Sequence, residues 1–208
     1  MENIASVTLD VADIEAAERF YSAAFGPDTP LRFRASQEPS TGFRGFTLAL
    51  TVPQPADVDL LVDRAVAAGA TVLKPVSKSM WGYAGVVRAP DGAIWKIATS
   101  ARKNAGPATG RIDAFVLLIG VADVAASKRF YTEHGLTVSK GFGRVYAEFD
   151  PRTGPVTLAL YRRRALAKDL GVAPEGTGSS RLTVGGSGAG FTDPDGFAWE
   201  AASPALSA

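Results

Sequence analysis

The chain contains no cysteine, which excludes disulfide staples, thiolate metal ligands and a cysteine nucleophile together. Histidine is almost as scarce: His134 is the only one in 208 residues, so a multi-histidine metal centre cannot be assembled within the chain. A Ser-His-Asp relay would have to use that same residue, which stands just before Gly135 at a predicted helix end, where an imidazole meets the last carbonyls. An excess of one charge is also missing. Lys and Arg number 22 against 21 Asp and Glu, a formal charge of +1, so neither nucleic acid nor a membrane surface is expected as a partner. The longest apolar run, 114–122, is roughly half of what a membrane span requires. Residues 1–10 lack the basic-then-apolar pattern of a signal peptide. A cytoplasmic globular protein is the expectation, long enough for one large domain or two of about 100 residues each.

What is present is a repeat. Pro90-Asp91-Gly92-Ala93-Ile94-Trp95-Lys96 returns as Pro194-Asp195-Gly196-Phe197-Ala198-Trp199-Glu200, in each copy a tight turn feeding a short strand. The run from Val11 to Tyr21 aligns without gaps on the run from Val121 to Tyr131, at a constant offset of 110. In both, a strand-ending Val precedes a capping Asp and a helix whose apolar face closes on Phe-Tyr.

The first half reads as a strand at 7–11, a helix ended by Gly26 and Pro27, a short strand at 31–35 and a strand at 46–52. A second helix follows, capped by Asp57 and stopped by Gly69, then strands at 71–76, 82–88 and 93–99. Residues 101–110 carry Gly, Pro and charge without apolar periodicity and read as a linker. This divides the chain into domains at 1–100 and 111–208. Beyond the linker, strands are expected at 138–142, 144–150, 156–161 and 181–184, with a short helix at 164–170. Arg162-Arg163-Arg164 reads as a solvated edge or helix start, and Gly185-Gly186-Ser187-Gly188 as a flexible connection. Each half lacks elements that the other keeps.

Strand, Asp-capped helix ending in Phe-Tyr, further strands, then Pro-Asp-Gly-x-x-Trp-Glu: this order resembles the vicinal oxygen chelate superfamily of glyoxalases, extradiol dioxygenases and bleomycin resistance proteins. Ala68-Gly69-Ala70 and Trp81-Gly82-Tyr83 fall in the same order. The resemblance implies an α+β fold of paired βαβββ modules forming curved-sheet cups, as two glyoxalase-like domains, each abbreviated. It also implies His on the strand that opens a module and Glu on the strand after Pro-Asp-Gly, all facing a divalent metal. Counted back from the strand-ending valines, the His positions fall on Ser6, Thr47, Val116 and Ser179, and the Glu positions on Lys96 and Glu200. Glu200 is the one competent ligand among these six, so no metal set is expected beyond weak divalent binding there. Modules pair either within a domain or crosswise. Crosswise pairing would group Ser6 with Ser179 and Glu200, and Val116 with Thr47 and Lys96; pairing within a domain would group Ser6, Thr47 and Lys96.

The expected ligand-binding residues are therefore Ser6, Thr47, Lys96, Ser179 and Glu200, with Trp81 and Tyr83 as aromatic walls and Arg144 and Tyr146 sharing one strand face. Glu200 doubles as a candidate general base and Lys96 as an anchor for an anionic ligand. Three functions stand open. One is a metal-independent binding protein for a small organic molecule, acting in sequestration or as an accessory in metabolism. Another is an enzyme, a lyase, isomerase or oxygenase, using Glu200 or an unconventional metal. The third is a scaffold whose cups are filled. A monomer and a homodimer are both compatible with an internal pair of domains, and no other cofactor is expected.

Overall fold

In the computed structural model, residues 3–80 and 82–201 are described. Strand β1 (Ile4–Val11) sends Val7, Leu9 and Val11 into the core on alternate positions. Asp13 then caps α1 (Ile14–Phe25), its carboxylate accepting the Ala16 N–H at 2.9 Å. Gly26, at φ +89°, ends the helix in a conformation that glycine alone adopts readily. β2 (Leu31–Ala35) returns alongside β1 in parallel. A complete βαβββ unit follows: β3 (Phe46–Thr51), α2 (Pro55–Ala67), β4 (Thr71–Ser79), β5 (Gly82–Arg88) and β6 (Ile94–Thr99).

The second half begins with another complete unit: β7 (Ala114–Val121), α3 (Val124–Glu133), β8 (Val138–Phe142), β9 (Tyr146–Phe149) and β10 (Val156–Arg162). Helix α4 (Arg163–Leu170) comes next, then a 3-10 turn at Ser179–Arg181, β11 (Leu182–Gly186), β12 (Phe191–Thr192) and β13 (Ala198–Ala201). The two complete modules are thus central in sequence, and the abbreviated ones stand at the ends.

The sheets resolve the pairing in favour of the crosswise arrangement. The central modules share an eight-stranded sheet, β4-β5-β6-β3-β7-β10-β9-β8, joined at an antiparallel β3–β7 seam in which Leu48 faces Leu117. The end modules share a five-stranded sheet, β12-β13-β11-β1-β2, joined at an antiparallel β1–β11 seam in which Val7 faces Val184. Both sheets are therefore assembled across the 101–110 segment.

One apolar cluster includes side chains of both sheets and of α1, α2 and α3. Its aromatic pairs show how the repeats work. Tyr21 and Phe25 of α1 pack on Trp95 of β6, and Tyr21 stacks on Phe33 of β2. In the second repeat Tyr131 of α3 contacts Trp199 of β13 and Phe149 of β9. The tyrosine hydroxyls are satisfied at the repeated turns, Tyr21 donating to Asp91 of the first at 2.8 Å and Tyr131 to Asp193, the residue just ahead of the second. Burial drives both phenols well above their ordinary pKa, and the neighbouring carboxylates push the same way.

Three local expectations change. Asp57 is not the cap of α2: Gln54 holds that position with Pro55 first in the helix, and Asp57 lies buried within the first turn. There its Oδ1 accepts the N–H groups of Thr109 and Gly110 at 2.6 and 2.7 Å, while Gln54 binds Ala105, Gly106 and Pro107. The 101–110 segment is thus fastened to the start of α2 and does not swing freely. Arg144 lies in the turn before β9, so it shares no strand face with Tyr146. Gly185 and Gly186 belong to β11, because the ladder to β1 continues through them. Among the described residues no helix is long and apolar enough to cross a membrane.

Candidate functional site

Each sheet has one face turned to the shared core and one turned away. On the eight-stranded sheet Leu48, Trp95, Ile97, Leu117 and Ile119 enter the core, so Thr47, Ile94, Lys96, Val116 and Leu118 occupy the opposite face. Helix α4 covers it. Its Leu166, Ala167 and Leu170 recur on one helical face and are fully buried against Phe43, Val86 and Ile94, with Leu118 and Tyr161 packed alongside. Arg163 fixes the start of this helix, donating to the carbonyls of Pro174, Phe43 and Gly176, and Gly171 ends it at φ +76°.

The expected ligand-binding residues of this face are engaged within the chain. The Thr47 hydroxyl is buried and donates to the Ile94 carbonyl at 2.7 Å. Lys96 Nζ meets Asp169 Oδ2 of α4 at 2.5 Å. Asp169 thus supplies Lys96 with a countercharge from within the chain.

The five-stranded sheet differs. Val7, Leu9, Val11, Leu182, Val184 and Trp199 face the core, which leaves Ser6, Thr8, Asp10, Thr183, Gly185 and Glu200 on the other side, joined by Arg34 from β2. Ser6, Gly185 and Glu200 lie in one row across the strands, and a Cβ at 185 would stand 2.6 Å from Ser6 Oγ, so glycine keeps that row passable. Arg34 is the centre of the face. Its Nε donates to Asp10 Oδ1 at 2.8 Å, its Nη2 to Thr183 Oγ1 at 3.0 Å and its Nη1 to Glu200 Oε1 at 3.4 Å.

Burial is graded across this cluster: the Asp10 side chain is 10% exposed, Arg34 46% and Glu200 60%. The hydrogen bond to Asp10 raises the guanidinium pKa further, so Arg34 is a permanent cation. Arg181, 7% exposed, backs the site by donating twice to the Asp10 carbonyl, at 3.1 and 2.6 Å, and once to the Glu38 carbonyl. Ser179 sits in the 3-10 turn ahead of β11 and not in the row with Ser6 and Glu200. A general base needs a carboxylate withdrawn from solvent, whereas Glu200 is largely solvated and leans on Arg34.

The remaining candidates are scattered. Tyr83 donates to Asp59 at 2.8 Å beside a shallow cleft of about 170 Å³ lined also by Lys78, Ser79 and Arg102. Trp81 lies outside the described residues. Tyr146 donates to Glu148 at 2.6 Å, and burial followed by that bond raises its pKa, while Arg144 is exposed. A second cleft, about 150 Å³, lies between α1 and the Pro90-Asp91 turn. Both are smaller than the roughly 300 Å³ from which sites for drug-sized ligands begin. Sequence reasoning missed Asp10, Arg34, Thr183 and Asp169. The available signal was Arg32 and Arg34 alternating with Leu31 and Phe33 on a strand, a pattern that sends two cations to the face opposite the core.

The divalent metal implied by the resemblance is not matched by these residues. Val116 has no donor, Thr47 is committed to a carbonyl and Lys96 is a cation. On the smaller sheet a guanidinium already bridges the two carboxylates. Among the described residues no three His, Cys, Asp or Glu side chains converge as a metal site would require.

Residues 6–98 match the family described as "Glyoxalase-like domain". Among solved structures, glyoxalase I from Zea mays superposes with a TM-score of 0.61 at 13% identity, covering 96% of this chain and 91% of that one. A putative dioxygenase from Bacillus subtilis subsp. subtilis str. 168 gives 0.56 at 12% identity, over 93% and 71%. A glyoxalase-related enzyme from Fulvimarina pelagi is 29% identical over 52% of this chain and all of its own, with a TM-score of 0.41. Comparison with curated proteins found no match. The match over 6–98 and the fold shared along nearly the whole length agree with the repeat, the capped helices and the crosswise sheets: residues 6–98 carry a glyoxalase-like domain, and the chain along nearly its whole length has the fold of glyoxalase I.

Proposed function

We propose that the protein binds a small organic molecule without the help of a metal ion, for sequestration or as an accessory in its metabolism, on the concave face of the five-stranded sheet. The observation that carries this reading is the contrast between the two faces. The larger is covered by α4, whereas the smaller presents Arg34 and Glu200 to solvent on a β scaffold, with the buried Thr183 hydroxyl holding Arg34 from below. Hydrogen-bond donors and acceptors fixed on strands orient a ligand at little entropic cost. The glyoxalase-like domain and the shared fold support a cup as the place for a ligand, and the residues facing this cup supply polar contacts where metal ligands would otherwise stand.

The test is a thermal-shift screen of small metabolites and antibiotics, run with and without a chelator, beside elemental analysis of the purified protein. At least one compound class should raise Tm equally in both conditions. Its affinity should change in Glu200→Gln and stay constant in Lys96→Met. Stoichiometric metal whose removal collapses Tm would overturn the proposal, as would a ligand sensitive to Lys96→Met and indifferent to Glu200→Gln.

A further inference from the structure

Helix α4 keeps its fold in spite of its own sequence. It is eight residues long, shorter than the roughly 12–15 residues below which an isolated helix is marginal in water. Arg162, at its N-cap, offers no side-chain hydrogen bond to the free amides of the first turn. Of the helix charges only Lys168 suits the dipole: Arg163 and Arg164 stand in the first turn, where anions are favoured, and Asp169 stands in the last. Helix α1, twelve residues long and capped by Asp13, has the length and the cap that α4 lacks. What holds α4 is its dock. Leu166, Ala167 and Leu170 close a cluster with Phe43, Val86 and Ile94 that is separate from the main core. Two polar ties add to it, the half-screened Lys96–Asp169 pair and a hydrogen bond from Lys74 Nζ to the Asp169 carbonyl at 2.8 Å. Both ends of the segment are pinned: Arg163 is forked onto three carbonyls, and beyond α4 the Phe43 N–H donates to Glu175 and the Thr177 N–H to Thr41, at 3.0 and 2.8 Å.

We propose that α4 is a conditional helix that gates the outer face of the eight-stranded sheet: residues 164–174 are helical only while docked, and they melt as a unit between their two pins with both sheets intact. Docked, the segment covers Ile94 and Leu118 and engages Lys96; melted, it releases all three. The opening breaks only the small cluster and two polar ties, so it costs less than global unfolding, which must also break the main core. The gate belongs to the larger sheet and is independent of any ligand on the smaller one.

Because the chain has no cysteine, an introduced thiol reports on one place alone. Ala167 under α4 and Ala24 under α1 are both fully buried, so Ala167→Cys and Ala24→Cys make the same change beneath two different helices. In native buffer a thiol-specific reagent should label Ala167→Cys roughly a hundredfold faster than Ala24→Cys. Hydrogen exchange on the unsubstituted chain checks that the cysteine does not itself open the fold: amides 167–172 should exchange faster than those of the β3–β7 seam by a similar factor. Val184→Ala, which weakens the β1–β11 seam, should speed labelling of Ala24→Cys and leave that of Ala167→Cys within about twofold, since local opening does not pass through the global transition. Arg162→Asp gives α4 a capping acceptor and an anion at its start, and should slow labelling of Ala167→Cys about fivefold. Any of three results overturns the proposal: α4 amides as protected as the seam, equal acceleration of both cysteines by Val184→Ala, or an unchanged Ala167→Cys rate in Arg162→Asp, which would mean that the helix does not melt on opening.

Discussion

Lys96 and Glu200 hold the same place in the two repeats, and each is answered by a charge that the local sequence does not announce: Asp169 for one, Arg34 for the other. What was legible at this scale is which way each residue faces. A Trp packed in the core sends the next side chain on the strand to the opposite face, so Trp95 and Trp199 fix Lys96 and Glu200. Their partners were not legible, because Asp169 and Arg34 arrive from elements 73 and 166 positions away. Asp57 shows the same limit. Its position in the sequence is that of a helix cap, yet it serves the 101–110 segment. Burial alone would raise its pKa, but hydrogen bonds from Gly110, Thr109 and Gln54 more than offset this and leave the carboxyl below the ordinary 3.8. A lowered folded-state pKa contributes stability above the unfolded value and loses it as pH falls through the folded one. Asp57→Asn should therefore unfold at lower urea than the wild type at neutral pH, with the gap narrowing below about pH 3.8. Asp57→Ala, which strips the acceptor from two N–H groups, should cost about 1–3 kcal/mol at neutral pH in the same assay.

At the scale of elements, α4 was expected at 164–170 with Gly171 as its stop, and it runs Arg163–Leu170. Its helical character was legible because the Leu spacing and the terminating glycine are local; its docking surface was not, because any apolar face would accept Leu166 and Leu170. The apolar contact and the ion pair at this joint should weigh very differently. Leu170→Ala should cost about 2–5 kcal/mol in urea unfolding, the range for truncating a fully buried Leu. Lys96→Met should stay within about 1 kcal/mol, because the two side chains of its ion pair are 27% and 37% exposed and screened by water. A larger loss from Lys96→Met than from Leu170→Ala would mean that charge, not packing, seats the helix.

At the scale of the molecule, the repeat offset of 110 disclosed two related halves, and the module order was readable from it. The pairing stayed open, since nothing in a strand's own pattern tells which distant edge it will meet. The β1–β11 and β3–β7 seams both join the first half to the second, so cutting the chain divides each sheet. Segments 1–100 and 111–208 expressed separately should show no cooperative thermal transition and should recover one when co-expressed. A sharp transition in either segment alone would show that a half is an independent folding unit. The placement of α4 has a further consequence for any molecule that would enter the larger cup. The helix follows β10 directly, Arg162 to Arg163, so it acts as a tethered competitor at an effective concentration of millimolar order or above. A visitor present at micromolar level is outnumbered about a thousandfold before any contact is made. Among the described residues no helix packs on the corresponding face of the smaller sheet, so the opportunity to evolve a new specificity lies there.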